Sequence, residues 1–225
     1  MEMVLQDIVN SMKRRGYVVY TQPYRLNIVG IRSPETTSTY FDDKIAFFWY
    51  DNKGVLIGKI CPGTTDPSVY FLRDNPMNPS GTAILKSGQY VDAYQIGLHK
   101  GKYQALVQKK PVTVIRDNDR NDLLNFFAET SSGMYGINIH KSSNKSNELI
   151  IGEDSAGCQV FQKQEDFLEM MRAANVSKDR YGNSFTYTLI DERDLIKSLR
   201  NLSLLGVGLV ILGLGGYLYY RKFGK

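Results

Sequence analysis

The chain holds two histidines and two cysteines in 225 residues, and one of each falls within a short stretch. Gly136, Ile137, Asn138, Ile139 and His140 are followed, after fourteen intervening residues, by Ser155, Ala156, Gly157, Cys158 and Gln159. A thiol with an imidazole partner can attack a carbonyl carbon and form a thioester. Cys158 is therefore the candidate nucleophile, and His140 its candidate base or imidazolium partner. If the run ending at His140 is a strand, its period of two puts His140, Asn138 and Gly136 on one face and Ile137 and Ile139 on the other. The imidazole then looks into a polar cleft while the isoleucines enter the core. Gly157, having no Cβ, lets backbone and substrate approach closely and leaves N–H groups beside Cys158 open to a developing oxyanion.

The other chemistry-bearing residues have plainer readings. Cys61 precedes Pro62 and Gly63, has no base near it in sequence, and is expected to be a structural thiol. His99 sits between Gly97 and Gly101, in a loop or as a partner for a substrate carboxylate. Arg116 and Asp117 end a strand, either as a structural ion pair or orienting His140. Residues Asp117 to Asp122 begin like a calcium loop. Asp122 replaces the required glycine, however, and Ala128 stands where the distal glutamate belongs, so an Asx-rich turn is expected. The histidine and cysteine spacings do not suit zinc, and no phosphate-cradling glycine loop or Gly-x-Ser-x-Gly elbow occurs. Neither metal nor cofactor is expected.

The spacing His-x14-Ser-x-Gly-Cys, within about residues 111–162, resembles the signature of the L,D-transpeptidases of the YkuD type. The Thr64-Thr65-Asp66-Pro67 segment, the pieces around Lys86–Tyr90 and His99–Gln108, and the Arg116-Asp117 pair make the wider chain similar to uncharacterised phage and bacterial proteins of that superfamily. The resemblance implies a β-rich α+β domain, a β-sandwich or mixed sheet with few helices. It also implies action on peptidoglycan stem peptides through a thioester, by L,D-transpeptidation or by carboxy- or endopeptidase hydrolysis. Ser155 would hydrogen-bond within its turn. On the substrate side the candidates are Asn138, Gln159, His99 and Arg116. Two positions depart from the family pattern: Ala156 stands in place of its second histidine and Val160 in place of the arginine or asparagine two residues past the cysteine. Both changes remove polar groups that would assist substrate binding or the oxyanion, and Gln159 is the candidate replacement donor. They also favour the rival expectation, a cell-wall-binding or virion-envelope protein that keeps the fold without the chemistry.

The elements that must position these residues are mostly strands. β-Branched and aromatic runs predict strands at 17–20, 26–31, 44–50, 55–60, 105–108, 112–116, 135–140, 149–152 and 185–190. Asp51 to Gly54 is a hairpin turn signal. Residues 61–101, rich in turn residues, are expected to form a long functional loop or an irregular sheet rim. Helices are expected over 1–16 (a stripe of Val4, Leu5, Ile8, Val9 and Met12), near 122–128, and over 164–174 with Phe167, Leu168 and Met171 inward.

The C-terminal part reads differently. Residues 191–201 form a charged stalk, and Leu202 to Tyr220 carry no charge. A helix of about 20 apolar residues matches a hydrocarbon core of about 30 Å, so a single membrane-spanning helix is expected over 202–220, followed by a basic tail at 221–225. The net charge of +5 falls to +2 once Arg221, Lys222 and Lys225 are set aside, which excludes a strong nucleic-acid footprint. Three basic residues flank each side of the span, so the positive-inside rule does not orient it. A wall substrate would place residues 17–190 on the cell-wall side, or in a membrane-containing virion, with the bilayer as second partner.

Overall fold

In the computed structural model the described residues are 3–143 and 149–195. The chain order is α1 (Leu5–Arg14), β1 (Asn27–Arg32), β2 (Asp43–Tyr50), β3 (Leu56–Thr64), a π-helical turn (Tyr70–Asp74), β4 (Thr82–Leu85), β5 (Gly88–His99), β6 (Tyr103–Gln108), β7 (Val112–Asp117), β8 (Thr130–Gly133), β9 (Ile139–Lys141), β10 (Gln159–Phe161), α2 (Gln164–Tyr181) and β11 (Phe185–Asp191).

The first strands show how the pattern sets the layers. In β1 and β2, Ile28, Ile45 and Phe47 point to one core, while Val29, Ile31, Ala46 and Phe48 point to another. A strand buried on both faces reads as a continuous apolar run. The outer face is covered by α1 through Ile8, Val9 and Met12, the centre of the expected stripe, whereas Val4 is exposed. Asp7 accepts a hydrogen bond from the Val4 N–H at 3.1 Å, and Gly16 follows the helix at a φ of +69°. The inner face meets α2 through Phe167, Met170, Met171 and Ala174. Leu168, expected inward, is half exposed.

Eight strands close into a barrel in the order β1, β11, β5, β6, β9, β10, β3, β2. The β-rich, mixed-sheet expectation holds, since β1–β11 and β9–β10 pair in parallel and the remaining barrel pairs are antiparallel. The expected sandwich is replaced by this closure. β11 inserts between β1 and β5, so the sheet meets itself and its edges vanish. The interior holds Phe47, Tyr94, Phe161 and Tyr187, each fully buried, the two phenylalanines each worth about 1.5–3 kcal/mol of transfer free energy. A Cβ on Gly30 would lie 2.0 Å from the Tyr187 hydroxyl, so the ring's place in the barrel requires glycine there. A second, antiparallel sheet, β4-β7-β8, packs one face on the main core through Ala83, Leu85, Val112 and Val114.

Several local expectations are corrected. Residues 61–101 contain β4 and the twelve-residue β5 rather than one long loop. The expected helix at 122–128 is a series of side-chain-capped turns, in which Asn121, Asp117 and Asn125 accept N–H groups of Leu123, Asn125 and Phe127. Residues 17–20 form no ladder, and 149–152 contribute only a bridge from Ile150 to Tyr40. Asp191 closes β11 and residues 192–195 begin a helical turn. The rest of the stalk, the 202–220 span and the basic tail lie outside the described residues. Among the described residues, no helix is long and apolar enough to cross a membrane.

Candidate functional site

Residues 134–137, between β8 and β9, approach the site without a strand neighbour, and a single side chain holds this stretch. Gln108, buried at the end of β6, donates to the Gly133 carbonyl at 2.8 Å and accepts the N–H groups of Tyr135 and Ile137, both at 3.1 Å. Its own N–H donates to Asn138 Oδ1 at 2.9 Å. These bonds satisfy backbone groups that a sheet would otherwise pair, and they deliver the chain to β9 with Ile137 and Ile139 in the core. Nothing in the local motif marks Gln108. The only sequence signal is a polar residue closing an apolar strand.

Asn138 then connects the chemistry. Its N–H donates to Cys158 Sγ at 3.4 Å, and its carbonyl accepts the Gln159 N–H at 2.9 Å. Because Oδ1 is already an acceptor, Nδ2 is the donor to His99 Nδ1 at 3.1 Å, which fixes His99 in the tautomer protonated at Nε2. His99 ends β5, and its ring stacks on His140 with centroids 4.1 Å apart and planes 29° apart. It is thus a strand-end residue beside the candidate base, not a loop residue.

His140 is 3 % exposed. Its Nδ1 lies 2.8 Å from the Lys141 carbonyl, an acceptor only, so Nδ1 carries the proton and Nε2 the lone pair. Nε2 is buried with no partner among the described residues. Burial first, and His99 second, push the His140 pKa down to about 4. His99 is lowered as well, by burial and then by Lys100. Burial raises the Cys158 thiol, against the opposing pull of the Asn138 N–H. The resting pair is consequently a neutral thiol and a neutral imidazole. Cys158 is half-buried; its Sγ–H points to the Gly136 carbonyl at 3.5 Å, and no hydrogen bond joins it to His140. Cys61, the other thiol, is buried in the core with its pKa pushed up to about 12 by burial.

Ser155 and Gly157 shape the turn before the sulfur. Ser155 Oγ donates to the Cys158 carbonyl at 2.8 Å and accepts the Gly157 N–H at 3.2 Å. The Gly157 amide is thus already occupied, contrary to the expectation that it lies open to an oxyanion. Gln159 is also not placed as expected. It is fully buried, donates to the carbonyls of Thr65 and Gly157, and accepts the Tyr187 hydroxyl at 2.6 Å, so it braces the barrel interior.

Cys158, Asn138, His140 and His99 line one cleft of about 520 Å³ together with Arg116, Lys100, Ala156 and Asp154. Arg116 forms no ion pair with Asp117. Its guanidinium stacks over the Tyr135 ring at 4.4 Å and donates to Ser131 Oγ at 3.1 Å, while Asp117 accepts the N–H groups of Asp119 and Asn125. Arg116 has no carboxylate partner among the described residues. The cleft is therefore lined by a thiol, a neutral imidazole and a cation without a carboxylate partner among the described residues. Among the described residues no group of histidine, cysteine and acidic side chains is arranged to hold a metal.

Comparison with known proteins gives no match. No family model, curated protein or solved structure is similar to this chain. The likeness to the L,D-transpeptidases rests on the motif residues alone.

The buried imidazole makes stability depend on pH. Unfolded histidine takes up a proton near pH 6.5, whereas folded His140 does so near pH 4. Between those values the unfolded state binds more protons, so stability falls as pH falls through that window, by up to about 3 kcal/mol. Burial raises the carboxyls of Asp43 and Asp66 despite Arg32, which gives the opposite sign. The readout is therefore a difference. Urea unfolding of wild type and His140→Asn at pH 7 and pH 4.5 should show the variant losing less stability on acidification, and parallel curves would refute the assignment.

Proposed function

We propose that this protein is a membrane-anchored cysteine enzyme that acts on peptidoglycan stem peptides through a thioester on Cys158. The reading is carried by one observation: Cys158 and His140 line the same cleft, and the buried Nε2 of His140 has no hydrogen-bond partner among the described residues. A peptide carbonyl entering between them draws the thiol proton to Nε2 as sulfur attacks, and the same nitrogen returns it to the leaving amine. The oxyanion would meet the Cys158 N–H, which has no acceptor among the described residues. Asn138 holds the sulfur directly through its N–H, and His140 only indirectly, through its side-chain bond to His99, whose ring stacks on that of His140. Arg116 and Lys100 suit a peptide carboxylate. The substrate class comes from the resemblance to L,D-transpeptidases, and Leu202–Tyr220 supplies the anchor. The test is intact-protein mass spectrometry of the full chain incubated with a tetrapeptide stem or a carbapenem: one acyl adduct per chain, on Cys158, is expected. Absence of an adduct while the same thiol accepts iodoacetamide would overturn the reading.

A second reading is favoured by the missing Cys158–His140 hydrogen bond and by the neutral state of both groups. In it the cleft binds a wall peptide without reacting, as a cell-wall-binding or envelope component. Saturable stem-peptide binding without adduct or turnover would select it.

A further inference from the structure

β1 and β11 run parallel and end side by side, with Arg32 paired to Asp191. The loop after β1 and the chain after β11 therefore leave the barrel at the same rim. Lys44, at the start of β2, reaches Glu192 there at 3.6 Å, and Arg15 pairs with Asp194. The loop of residues 33–42 gathers two distant segments onto this rim. Thr37 bridges Leu123, Tyr40 bridges Ile150, and the Phe41 N–H donates to the Leu149 carbonyl at 2.8 Å. The side chains collected in this way are apolar and open to solvent: Tyr40 is 54 % exposed, Leu123 50 %, Leu149 66 % and Ile150 52 %. Such clustering on a surface marks an interaction site.

The chain itself indicates what covers it. From Leu195, at this rim, only seven residue steps lead to Leu202, the first residue of the uncharged run to Tyr220. Even fully extended, seven steps span at most about 25 Å. We propose that this rim rests on the lipid bilayer, with Tyr40, Leu123, Leu149 and Ile150 entering the interface. The inference depends on the reading of 202–220 as the anchor and adds a second contact and an orientation to it. Around the patch the cations are matched by acids, Arg73 by Asp122, Lys44 by Glu192 and Arg15 by Asp194, and Asp42 is a further exposed acid, so the contact draws on apolar burial rather than on attraction to anionic headgroups, and it is insensitive to salt.

Trp49 provides an internal reference. It is the only tryptophan and lies six residues along β2 from Asp43, which starts at the rim, a distance of about 20 Å at the rise of an extended strand. The full chain is reconstituted into phosphatidylcholine vesicles with brominated acyl chains, once as the native protein and once as Trp49→Phe/Ile150→Trp. A parallel Trp49→Phe/Leu123→Trp protein guards against misfolding of the first. The new fluorophores are expected to be quenched several-fold more than Trp49, equally at low and high salt. Flotation with the vesicles but no bromolipid quenching at either position overturns the rim contact and leaves the anchor standing. Shielding from aqueous iodide without bromolipid quenching also overturns it, because a second copy or the chain's own apolar segment then covers the patch. Failure to float overturns the anchor reading, and the rim contact with it.

Discussion

Cys158→Ala is expected to abolish the acyl adduct, and His140→Ala to slow its formation by about 10²–10⁴-fold, the range typical of losing a general base. The two losses differ in kind. Without sulfur there is no bond to form, whereas without His140 the thiol can still ionise to solvent water at high pH. The His140→Ala rate should therefore climb steadily with pH, with no plateau near neutrality, since burial raises the Cys158 thiol. Cys61→Ala serves as the control and should leave the rate unchanged, because that thiol is enclosed in the core at a pKa of about 12. Time-resolved mass spectrometry over pH 6–10 reads all three proteins, with buffer pH the only variable changed. If His140→Ala follows the wild-type profile, His140 is a structural imidazole, and the partnerless Nε2 has another use.

The parts of this fold that were legible share a physical feature: local pattern and tertiary environment agree. β1 and β2 are apolar on both faces because α1 covers one and the barrel interior takes the other, so their runs stand out. The turn at Asp51 to Gly54 forms as read, with Asp51 Oδ1 accepting the N–H groups of Lys53 and Val55 and Gly54 at a φ of +76°. β5 was hidden because it is mostly half-exposed, carries Gly88 and Gly97, and kinks at Asp92, whose φ is +53°. Barrel closure was not legible either. It depends on β11 pairing with β1, more than 150 residues away, and nothing in either strand encodes that choice.

The candidate site divides in the same way. His140, Asn138 and Cys158 could be associated from spacing, because β9 and β10 are adjacent parallel strands that bring His140 opposite Val160. His99 could not. Its place beside His140 depends on the β5–β6 hairpin register and on β6 meeting β9 at Leu106 and Ile139. Gln159 looked like a spare donor next to the nucleophile, but alternation along β10 turns it inward to Tyr187. The charged pair Arg116-Asp117 failed for the same reason: adjacent strand residues face opposite ways, so Arg116 reaches the cleft while Asp117 caps the following turn.

Gly157→Ala should be strongly damaging in the turn that carries Cys158, and Gly136→Ala is its matched control. Both glycines have positive φ, +114° at Gly157 and +71° at Gly136, so either alanine meets backbone strain of about 1–3 kcal/mol. Only Gly157 is also enclosed. A Cβ there would lie 2.3 Å from the Ala83 carbonyl and 3.0 Å from Ile137 Cδ1, whereas nothing lies within 4 Å of a Cβ on Gly136. Ala83 is ladder-paired to Arg116 in β4–β7, so the carbonyl cannot move without disturbing that sheet. Adding an overpacking cost of about 1–3 kcal/mol puts Gly157→Ala near 4 kcal/mol in total, against about 1–3 kcal/mol of strain alone for Gly136→Ala. Relief has to come from the turn, which also carries the Ser155 hydrogen bonds and Cys158. Urea unfolding gives the two stabilities, and the iodoacetamide rate at Cys158 reports the geometry. A shifted rate in folded Gly157→Ala, with the Gly136→Ala rate unchanged, is the expected result. Equal stability losses in the two variants would show that the approach of Ala83 is not what demands glycine at position 157.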